Sequence, residues 1–243
     1  MNLVLDIGNT LTKAGIFDGG VLLDTHTLGS EADMRKLVMK NSYRAMMVSS
    51  VAACSSWLKK HIDSHSSFML LDASTPLPFV NLYDTPHTLG SDRLAAVAGA
   101  MTMFPGHSAL AIDAGSCITY DIIDSRKQYH GGTISPGIQM RCKAMHTFTA
   151  RLPLVQVKPE NSDEMKLLGK NTAAALQSGA YYGTVAEITQ MIRMYEDKFG
   201  DLQVVICGGD APLLSKALFN TAHHLVPELI LKGLNAILDH NVA

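Results

Sequence analysis

The sequence predicts an α/β protein built from two similar domains, and three observations support this prediction. Two segments about half a chain apart share one pattern, in which an apolar strand ends in Asp-x-Gly and a second strand follows. Strand-like and helix-like segments alternate along both halves. The 243 residues are enough for two cores, because single domains commonly contain about 100–150 residues.

The first half opens with three short apolar segments separated by glycine-containing turns. They are predicted antiparallel strands, at Leu3–Ile7, Thr12–Phe17 and Val21–Thr25. Helices and strands then alternate, at Glu31–Lys40, Ala45–Ser50, Cys54–His65 and Phe68–Leu71. Residues 73–90 contain three prolines and predict a loop. A helix is predicted at Asp92–Met103, ended by Pro105-Gly106.

The second half begins again with strands, predicted at Ala109–Asp113, Ile118–Ile123 and Gln128–Ile134. A long helix is predicted at Asn171–Lys198, because its apolar residues recur at steps of four and three. A further strand, Gln203–Cys207, ends in Gly208-Gly209. Pro227–His240 predicts a closing helix, since proline suits the first turn of a helix.

The restart is visible in the residues themselves. Leu3–Thr12 aligns with Leu110–Thr119 at an offset of 107 residues, which places Asp113 opposite Asp6. A single Asp-x-Gly is a weak signal, because both residues are common in turns. Two matched copies are a stronger one. We therefore expect two α/β domains, residues 1–106 and 107–243, whose two turns face each other across a cleft.

These turns have a chemistry suited to phosphate. Backbone N–H groups and a hydroxyl can surround a phosphate, and glycine permits the close approach that a side chain would block. The strand-end carboxylate can hold a cation that neutralises the phosphates, and Lys13 adds a positive charge nearby. The simpler alternative is a pair of hairpin turns that Asp merely caps. Gly208-Gly209 could likewise admit a flat ring such as adenine or only mark a sharp turn.

The composition argues against several classes of protein. The net charge is −2, whereas duplex nucleic-acid binding usually needs a clustered basic face. No apolar run approaches the length of about 20 residues that spans a bilayer. The apolar run at the start ends after three residues, at Asp6, and is too short for a signal-peptide core. The four cysteines form no Cys-x-x-Cys pair, so free thiols are expected. We expect a cytoplasmic protein that binds neither nucleic acid nor membranes.

Three motifs together resemble those of one superfamily. Asp6–Thr10, Asp113–Ser116 and Gly208–Ala211 are similar to the phosphate-1, phosphate-2 and adenosine motifs of the actin, sugar-kinase and Hsp70 superfamily. The chain has neither a P-loop nor a Rossmann glycine signature. The resemblance implies two ribonuclease-H-like domains with a nucleotide cleft between them.

A narrower resemblance, to type III pantothenate kinases, covers nearly the whole chain. The stretches that carry it are Asp6–Lys13, Gly90–Arg93, Asp113–Asp121, Gly131–Gly137, Asn171-Thr172, Ser178-Gly179 and Lys232–Leu234. The family usually has Ala where Ser91 stands and Thr-Ala where Ser116-Cys117 stands. The resemblance implies transfer of the ATP γ-phosphate to pantothenate, the first step of coenzyme A synthesis, by a homodimer.

The resemblance also implies the roles of individual residues. Asp92 would accept the proton of the substrate hydroxyl. The implied ATP-binding residues are Asp6, Ile7, Gly8, Asn9, Thr10, Leu11, Thr12, Lys13 and Ser116. The implied substrate-binding residues are Tyr83, Gly90, Ser91, Asp92, Arg93 and Thr172. Asp113 would hold a monovalent cation, K⁺ or NH₄⁺, and Asp6 a divalent one, Mg²⁺ with ATP.

Simpler roles remain open for these side chains. Asp92 could only stabilise the start of its helix, Arg93 could form a surface ion pair, Tyr83 could cover the core, and Thr172 could belong to a helix cap. Two other functions also remain open. One is another kinase of the superfamily, such as a sugar or acetate kinase, although those chains are generally longer. The other is a nucleotide-binding regulatory protein.

Overall fold

The chain folds into two compact units that are not contiguous in sequence. Unit 1 contains Met1–His107, Ile123–Gly131 and Glu228–Ala243, and unit 2 contains Ser108–Ile122 and Gly132–Pro227. These assignments come from a computed structural model that describes residues 1–8, 11–40, 42–50, 55–65, 67–158, 165–218 and 220–242. The expected boundary near residue 106 falls where the chain first enters unit 2. The closing helix and residues 123–131, which we expected in the second domain, lie in unit 1.

Unit 1 is built on a five-stranded sheet. Its strands are β1 (Asn2–Ile7), β2 (Thr12–Asp18), β3 (Val21–Leu28), β4 (Ala45–Ser50) and β5 (Phe68–Leu70). Their order is β3-β2-β1-β4-β5, with the first three antiparallel and the last two parallel to β1. The three antiparallel strands that open the chain are therefore confirmed.

Helices α1 (Glu31–Lys40) and α2 (Ser56–Asp63) share one core with this sheet. Side chains alternate along a strand, so Leu3 and Leu5 point to the same face and pack in a cluster with Met34 of α1 and Leu58 of α2. Helix α2 begins later than predicted. Cys54, where we expected its start, lies outside the described residues.

The helices α3 (Ser91–Met103) and α7 (Leu229–Val242) pack closely in unit 1. Their backbones meet at two glycines: a Cβ on Gly233 would overlap the Ala95 carbonyl oxygen, and one on Gly99 would overlap the Leu229 carbonyl oxygen. Helix α7 follows unit 2 in sequence but belongs to unit 1, because its buried apolar residues complete the core beside α3.

The predicted loop at residues 73–90 contains short regular structure that the sequence did not reveal. The two-residue strand β6 (Val80–Asn81) pairs in parallel with Gln128-Tyr129, and Pro86–Thr88 forms one turn of 3₁₀ helix. Only two residues pair, so hydrophobic alternation had no length over which to appear.

Unit 2 repeats the strand order of unit 1. Its strands are β7 (Ser108–Ala114), β8 (Cys117–Ile123), β9 (Gln128–Pro136), β10 (Leu202–Cys207) and β11 (His224–Leu225). Their order is β9-β8-β7-β10-β11, which matches β3-β2-β1-β4-β5 strand for strand, while β6 pairs with the part of β9 that belongs to unit 1. The repeat read from the sequence is thus a repeat of topology.

The helices of unit 2 are α4 (Ile138–Thr147), α5 (Thr172–Phe199) and α6 (Ala211–Ala217). The predicted apolar face of α5 is confirmed, because Tyr181, Ile188 and Ile192 are buried in the core of this unit. We had not predicted α4 or α6. In α4 only Ile138 and Cys142 are buried, too few to give a clear helical period. Over the residues described, no helix is both long and apolar enough to cross a membrane.

Candidate active site

The turn after the first strand of unit 1 carries the first group of candidate residues. Asp6 is the second-last residue of β1 and pairs in register with Lys13 of β2. The Gly8 N–H donates to the Leu11 carbonyl oxygen at 3.1 Å and closes the turn. Ile7 and Thr12 are the register pair that flanks it. Asn9 and Thr10 lie outside the described residues.

The matching turn of unit 2 is tighter. The Gly115 N–H donates to the Cys117 carbonyl oxygen at 3.0 Å, and β8 begins at Cys117. Two residues, Gly115 and Ser116, thus separate β7 from β8, whereas residues 8–11 separate β1 from β2. Ser116 is exposed at the tip, which leaves its hydroxyl accessible.

Two further loops pack on this tighter turn. The Gly137 N–H donates to the Ser116 carbonyl oxygen at 3.1 Å, and the Asp210 N–H donates to the Ala114 carbonyl oxygen at 2.9 Å. Gly208 has φ of +96°, and a Cβ there would overlap Asp113 Oδ1 and the Ala114 carbonyl oxygen. The structure therefore brings Asp113, Ser116 and the Gly-Gly turn together at one edge of the unit 2 sheet.

A polar network in unit 2 holds one of these loops, and sequence reasoning missed it. Glu187 of α5 accepts hydrogen bonds from the Tyr120 hydroxyl, the Ser135 hydroxyl and the Arg141 guanidinium. Arg141 Nε also donates to the Pro136 carbonyl oxygen at 2.9 Å, next to Gly137. Glu187 lies 46 to 67 residues along the chain from its three partners, so no local pattern signals the network.

The network changes the ionisation of its own members. Partial burial alone would raise the pKa of Glu187, but the hydrogen bonds from Ser135, Arg141 and Tyr120 outweigh it and lower that pKa. The pKa of Tyr120 is raised, chiefly by burial and then by the Glu187 charge. Glu187 is therefore a stable anion that orders the loop leading to Gly137.

The start of α3 carries the proposed catalytic residue. Asp92 stands in the first turn, after the N-cap residue Gly90, and its Oδ1 accepts the Arg93 backbone N–H at 2.9 Å. Among the described residues, the other carboxylate oxygen, Oδ2, receives no hydrogen bond. A Cβ on Gly90 would overlap Asp92 Oδ1, so glycine there leaves room for the carboxylate. Asp92 thus stabilises its helix through one oxygen and keeps the second available.

Arg93 and Tyr83 lie together in unit 1. Arg93 is only 6% exposed, and its guanidinium carbon is 5.5 Å from the centre of the Tyr83 ring. This burial contradicts the simpler expectation of a surface ion pair. A cleft of about 290 Å³ lies beside the same helix start and is lined by Gly90, Ser91, His87, Asp72 and six other residues.

Thr172 lies in unit 2, at the first position of α5, and is exposed. The Asn171 side chain caps this helix, accepting the Ala174 N–H at 2.9 Å. Asn171 therefore has the capping role, and within the described ranges no capping hydrogen bond comes from the Thr172 hydroxyl. A second cleft, of about 320 Å³, is lined by Lys166, Lys170, Asn171 and five other residues.

Across the described residues, no group of three or more His, Cys, Asp or Glu side chains is placed to hold a metal ion. The oxygen donors present are single strand-end carboxylates, Asp6 in unit 1 and Asp113 in unit 2. Mg²⁺ is commonly held by one or two carboxylates together with substrate phosphates. The donor set therefore fits an ion that arrives with a nucleotide.

Comparison with known proteins establishes the class and then the family. The fold is that of the actin-like ATPases and sugar kinases: a glucokinase from an Antarctic psychrotroph superposes with a TM-score of 0.53 at 12% identity, covering 98% of each chain. A protein from Campylobacter jejuni, described as a candidate transcriptional activator of the Baf family, gives 0.56 at 21% identity over 99% and 98% of the two chains.

Sequence comparison is more specific. The family model for type III pantothenate kinase matches residues 2–194. Proteins named type III pantothenate kinase from Christiangramia forsetii and Bacteroides fragilis are each 40% identical, over 99% of this chain and 99% and 98% of theirs. One from Cytophaga hutchinsonii is 38% identical over the whole of both chains. The chain belongs to the type III pantothenate kinase family.

Proposed function

We propose that this chain transfers the γ-phosphate of ATP to the primary hydroxyl of pantothenate, the first step of coenzyme A biosynthesis. One observation carries the proposal beyond family membership. The first turn of α3 holds the Asp92 carboxylate, one oxygen of which receives no hydrogen bond from the part of the chain that the structure describes, directly beside a buried cation, Arg93. Pantothenate has a hydroxyl at one end and a carboxylate at the other, so this pair matches both of its ends.

In this mechanism Asp92 orients the hydroxyl and accepts its proton. A new bond forms between the substrate oxygen and the γ-phosphorus, and the bond from that phosphorus to the bridging oxygen of ADP breaks. The products are 4′-phosphopantothenate and ADP. Phosphoryl transfer through a loose transition state needs mainly orientation and late proton removal, and a correctly placed carboxylate can supply both.

The turn residues contribute binding rather than chemistry. We assign the ATP phosphates to the turn from Asp6 to Lys13 and to Ser116, whose hydroxyl replaces the threonine hydroxyl that the family usually supplies. Bound Mg²⁺ neutralises phosphate charge, and Asp6 is the carboxylate we assign to it. Asp113 is the residue we assign to a monovalent cation, K⁺ or NH₄⁺.

Substrate binding is assigned to Arg93, Tyr83, Gly90, Ser91 and Thr172. Arg93 recognises the pantothenate carboxylate, for which a planar guanidinium is well suited. Binding energy at the carboxylate then positions the hydroxyl at the other end of the molecule.

We further propose a homodimer that works in the cytoplasm. The outer face of α5 carries Gly179 and Gly183, both exposed, with open space where a Cβ would stand. Such a face permits another helix to approach closely. Cys117, Cys142 and Cys207 carry free thiols, which fits a reducing compartment.

A coupled assay of ADP release, with and without pantothenate, tests the function. We expect release to depend on pantothenate and mass spectrometry to find one added phosphate on it. Release that depends on a sugar or acetate instead would assign the chain to another kinase activity. ATP binding without turnover on any of these substrates would favour a regulatory protein.

A further inference from the structure

An aromatic residue of β9 contacts the Tyr83 ring of the Arg93–Tyr83 pair. Tyr129 is fully buried, and its ring lies nearly parallel to that of Tyr83, with the planes 18° apart and the centres separated by 6.3 Å. Phe79 meets Tyr129 edge-on at 6.3 Å. With Arg93 over Tyr83, these four side chains form a ladder (Phe79, Tyr129, Tyr83, Arg93) within unit 1.

The backbone fixes the Tyr83 segment against β9. The Val80 N–H donates to the Lys127 carbonyl oxygen and the Leu82 N–H to the Tyr129 carbonyl oxygen, both at 2.9 Å. The Asn81 side chain accepts the Tyr83 N–H at 3.0 Å. A short loop segment is therefore held in a defined position relative to Tyr129.

Gly131 lets the Tyr83 ring settle there. Its φ of +87° is unfavourable for other residues, and a Cβ on it would lie 3.0 Å from Tyr83 Cδ2 and 3.3 Å from Cε2. The ring edge thus occupies space that any side chain at position 131 would claim. Two features of one strand, the Tyr129 ring and the absent side chain of Gly131, place Tyr83.

Arg93 then rests on Tyr83. A guanidinium within about 6 Å of an aromatic centre is attracted to the ring face, and the observed separation is 5.5 Å. A long, flexible side chain binds a carboxylate more tightly when its orientation is fixed beforehand, because less conformational entropy is lost on binding. The ladder supplies that orientation from a rigid strand.

We propose that Tyr129 is a positioning residue for substrate recognition, acting through Tyr83 to orient the Arg93 guanidinium toward the substrate carboxylate. The inference rests on the proposed function, and it adds a fully buried residue that belongs to none of the sequence motifs. It also gives Tyr83 a role as support for Arg93, in addition to any contact of its hydroxyl or ring edge with substrate.

The test compares Tyr129→Leu and Tyr129→Phe with Phe17→Leu as the control. Phe17 is a buried aromatic of β2 in the same unit but outside the ladder. We expect Tyr129→Leu to raise KM for pantothenate about 3- to 10-fold, the range that a cation–π contact supports. KM for ATP and for a pantothenate analogue with an amide in place of the carboxylate should change little. Tyr129→Phe, which keeps the ring, should restore KM for pantothenate.

Equal changes in Tyr129→Leu and Phe17→Leu, or equal losses for pantothenate and the amide, would overturn the inference while leaving the kinase function intact. If Tyr129→Leu does not fold, Gly131→Ala replaces it, because a Cβ there would lie 3.0 Å from Tyr83 Cδ2 and the ring must shift by a few tenths of an ångström to admit it. The same selective rise in KM is expected, and its absence counts against the ladder.

A second measurement does not depend on the reaction. Phenylglyoxal labelling of Arg93, followed by peptide mass spectrometry, should be faster in Tyr129→Leu than in wild type and unchanged in Phe17→Leu. An unchanged labelling rate in Tyr129→Leu would show that Tyr129 does not hold Arg93. A wild-type enzyme without pantothenate-dependent ADP release would remove the proposed function, and labelling would still decide the positioning claim.

Discussion

The hydroxyl oxygens of Ser49 and Ser91 lie 2.9 Å apart and share a buried hydrogen bond. This bond joins β4 to the first turn of α3, one residue before Asp92. Ser91 is one of two places where the chain departs from the usual family sequence, which has alanine there. The hydroxyl that the departure adds is therefore hydrogen-bonded within unit 1, as most buried polar groups are.

Asp92→Asn tests the proposed base. Asparagine keeps the size of the side chain and still stabilises a helix start, but it cannot accept the proton. We expect kcat to fall about 10²- to 10⁴-fold, as for loss of a general base, with ATP affinity by calorimetry unchanged. A variant that keeps more than about half of wild-type turnover would fall outside that range and leave Asp92 as a helix-stabilising residue only.

Arg93→Lys tests substrate identity. Lysine keeps the charge but loses the two-pronged guanidinium, so a bidentate contact with carboxylate is lost. We expect kcat/KM for pantothenate to fall about 10- to 100-fold, equivalent to roughly 1.5–3 kcal/mol for a charged hydrogen bond. The amide analogue should be a poor substrate for the wild type, and Arg93→Lys should lower kcat/KM for it little further. Equal losses for both compounds would assign Arg93 to the phosphates or to folding.

The monovalent cation can be tested by exchange of salts. With Asp113 assigned to K⁺ or NH₄⁺ and Asp6 to Mg²⁺, activity should require both kinds of ion. Assays in potassium, ammonium and sodium buffers, each with and without a divalent chelator, measure the two requirements separately. Full turnover in sodium alone, after potassium and ammonium have been removed, would contradict the monovalent assignment.

Glu187 predicts how the stability of the chain depends on pH. Its pKa is lower in the folded chain than the ordinary 4.5, so its contribution is present above pH 4.5 and is lost as the pH falls through the folded value. In urea unfolding at pH 7 and pH 4, Glu187→Gln should lose less stability on acidification than wild type.

The expected cost of Glu187→Gln at pH 7 is about 1–3 kcal/mol, from hydrogen bonds to a charged group. Glu196→Gln is the matched control, because Glu196 is exposed on the same helix. The network would have no energetic role if both variants unfolded alike at the two pH values.

Gly179→Leu tests the proposed dimer. The position is open within one chain, so leucine should fit the monomer and improve helix propensity by about 1 kcal/mol over glycine. The leucine side chain would displace a second copy of the chain packed on this face. Sedimentation at several concentrations should show that the wild type is a dimer and that Gly179→Leu dimerises more weakly. The control, Glu196→Leu, lies on another side of α5 and should remain dimeric. A monomeric wild type would refute the dimer itself.

The sequence predicted most of the regular structure because the strands are apolar and bounded by glycine turns. Helix α1 and strand β4 agree with the predicted bounds residue for residue. Strand β6 and helix α4 were missed, because a two-residue pairing and a helix with only two buried residues leave no periodic signal. The repeated Asp-x-Gly indicated two similar domains, and the strand orders show that repeat.

The residues of the candidate site likewise fall into those that local sequence indicates and those that only the folded structure brings together. Asp92 and Arg93 are neighbours in a helix, so local sequence could indicate them. Tyr129 and Glu187 act across long stretches of chain, through packing and hydrogen bonds that a single sequence does not encode locally. The membership of α7 in unit 1 was equally hidden, because the fit of Gly233 against α3 exists only in three dimensions.

The return of α7 to unit 1 governs how the chain can fold during translation. Unit 2 ends at Pro227, so all of its residues have been synthesised before α7. Unit 1 must wait, because Asn2 at its first strand hydrogen-bonds with Asn235 and Asp239 of α7. The unit that leaves the ribosome first is therefore the last to close. Until then the side of α3 that α7 covers in the folded chain lacks its partner, and apolar surface left uncovered in this way makes a nascent chain prone to aggregation.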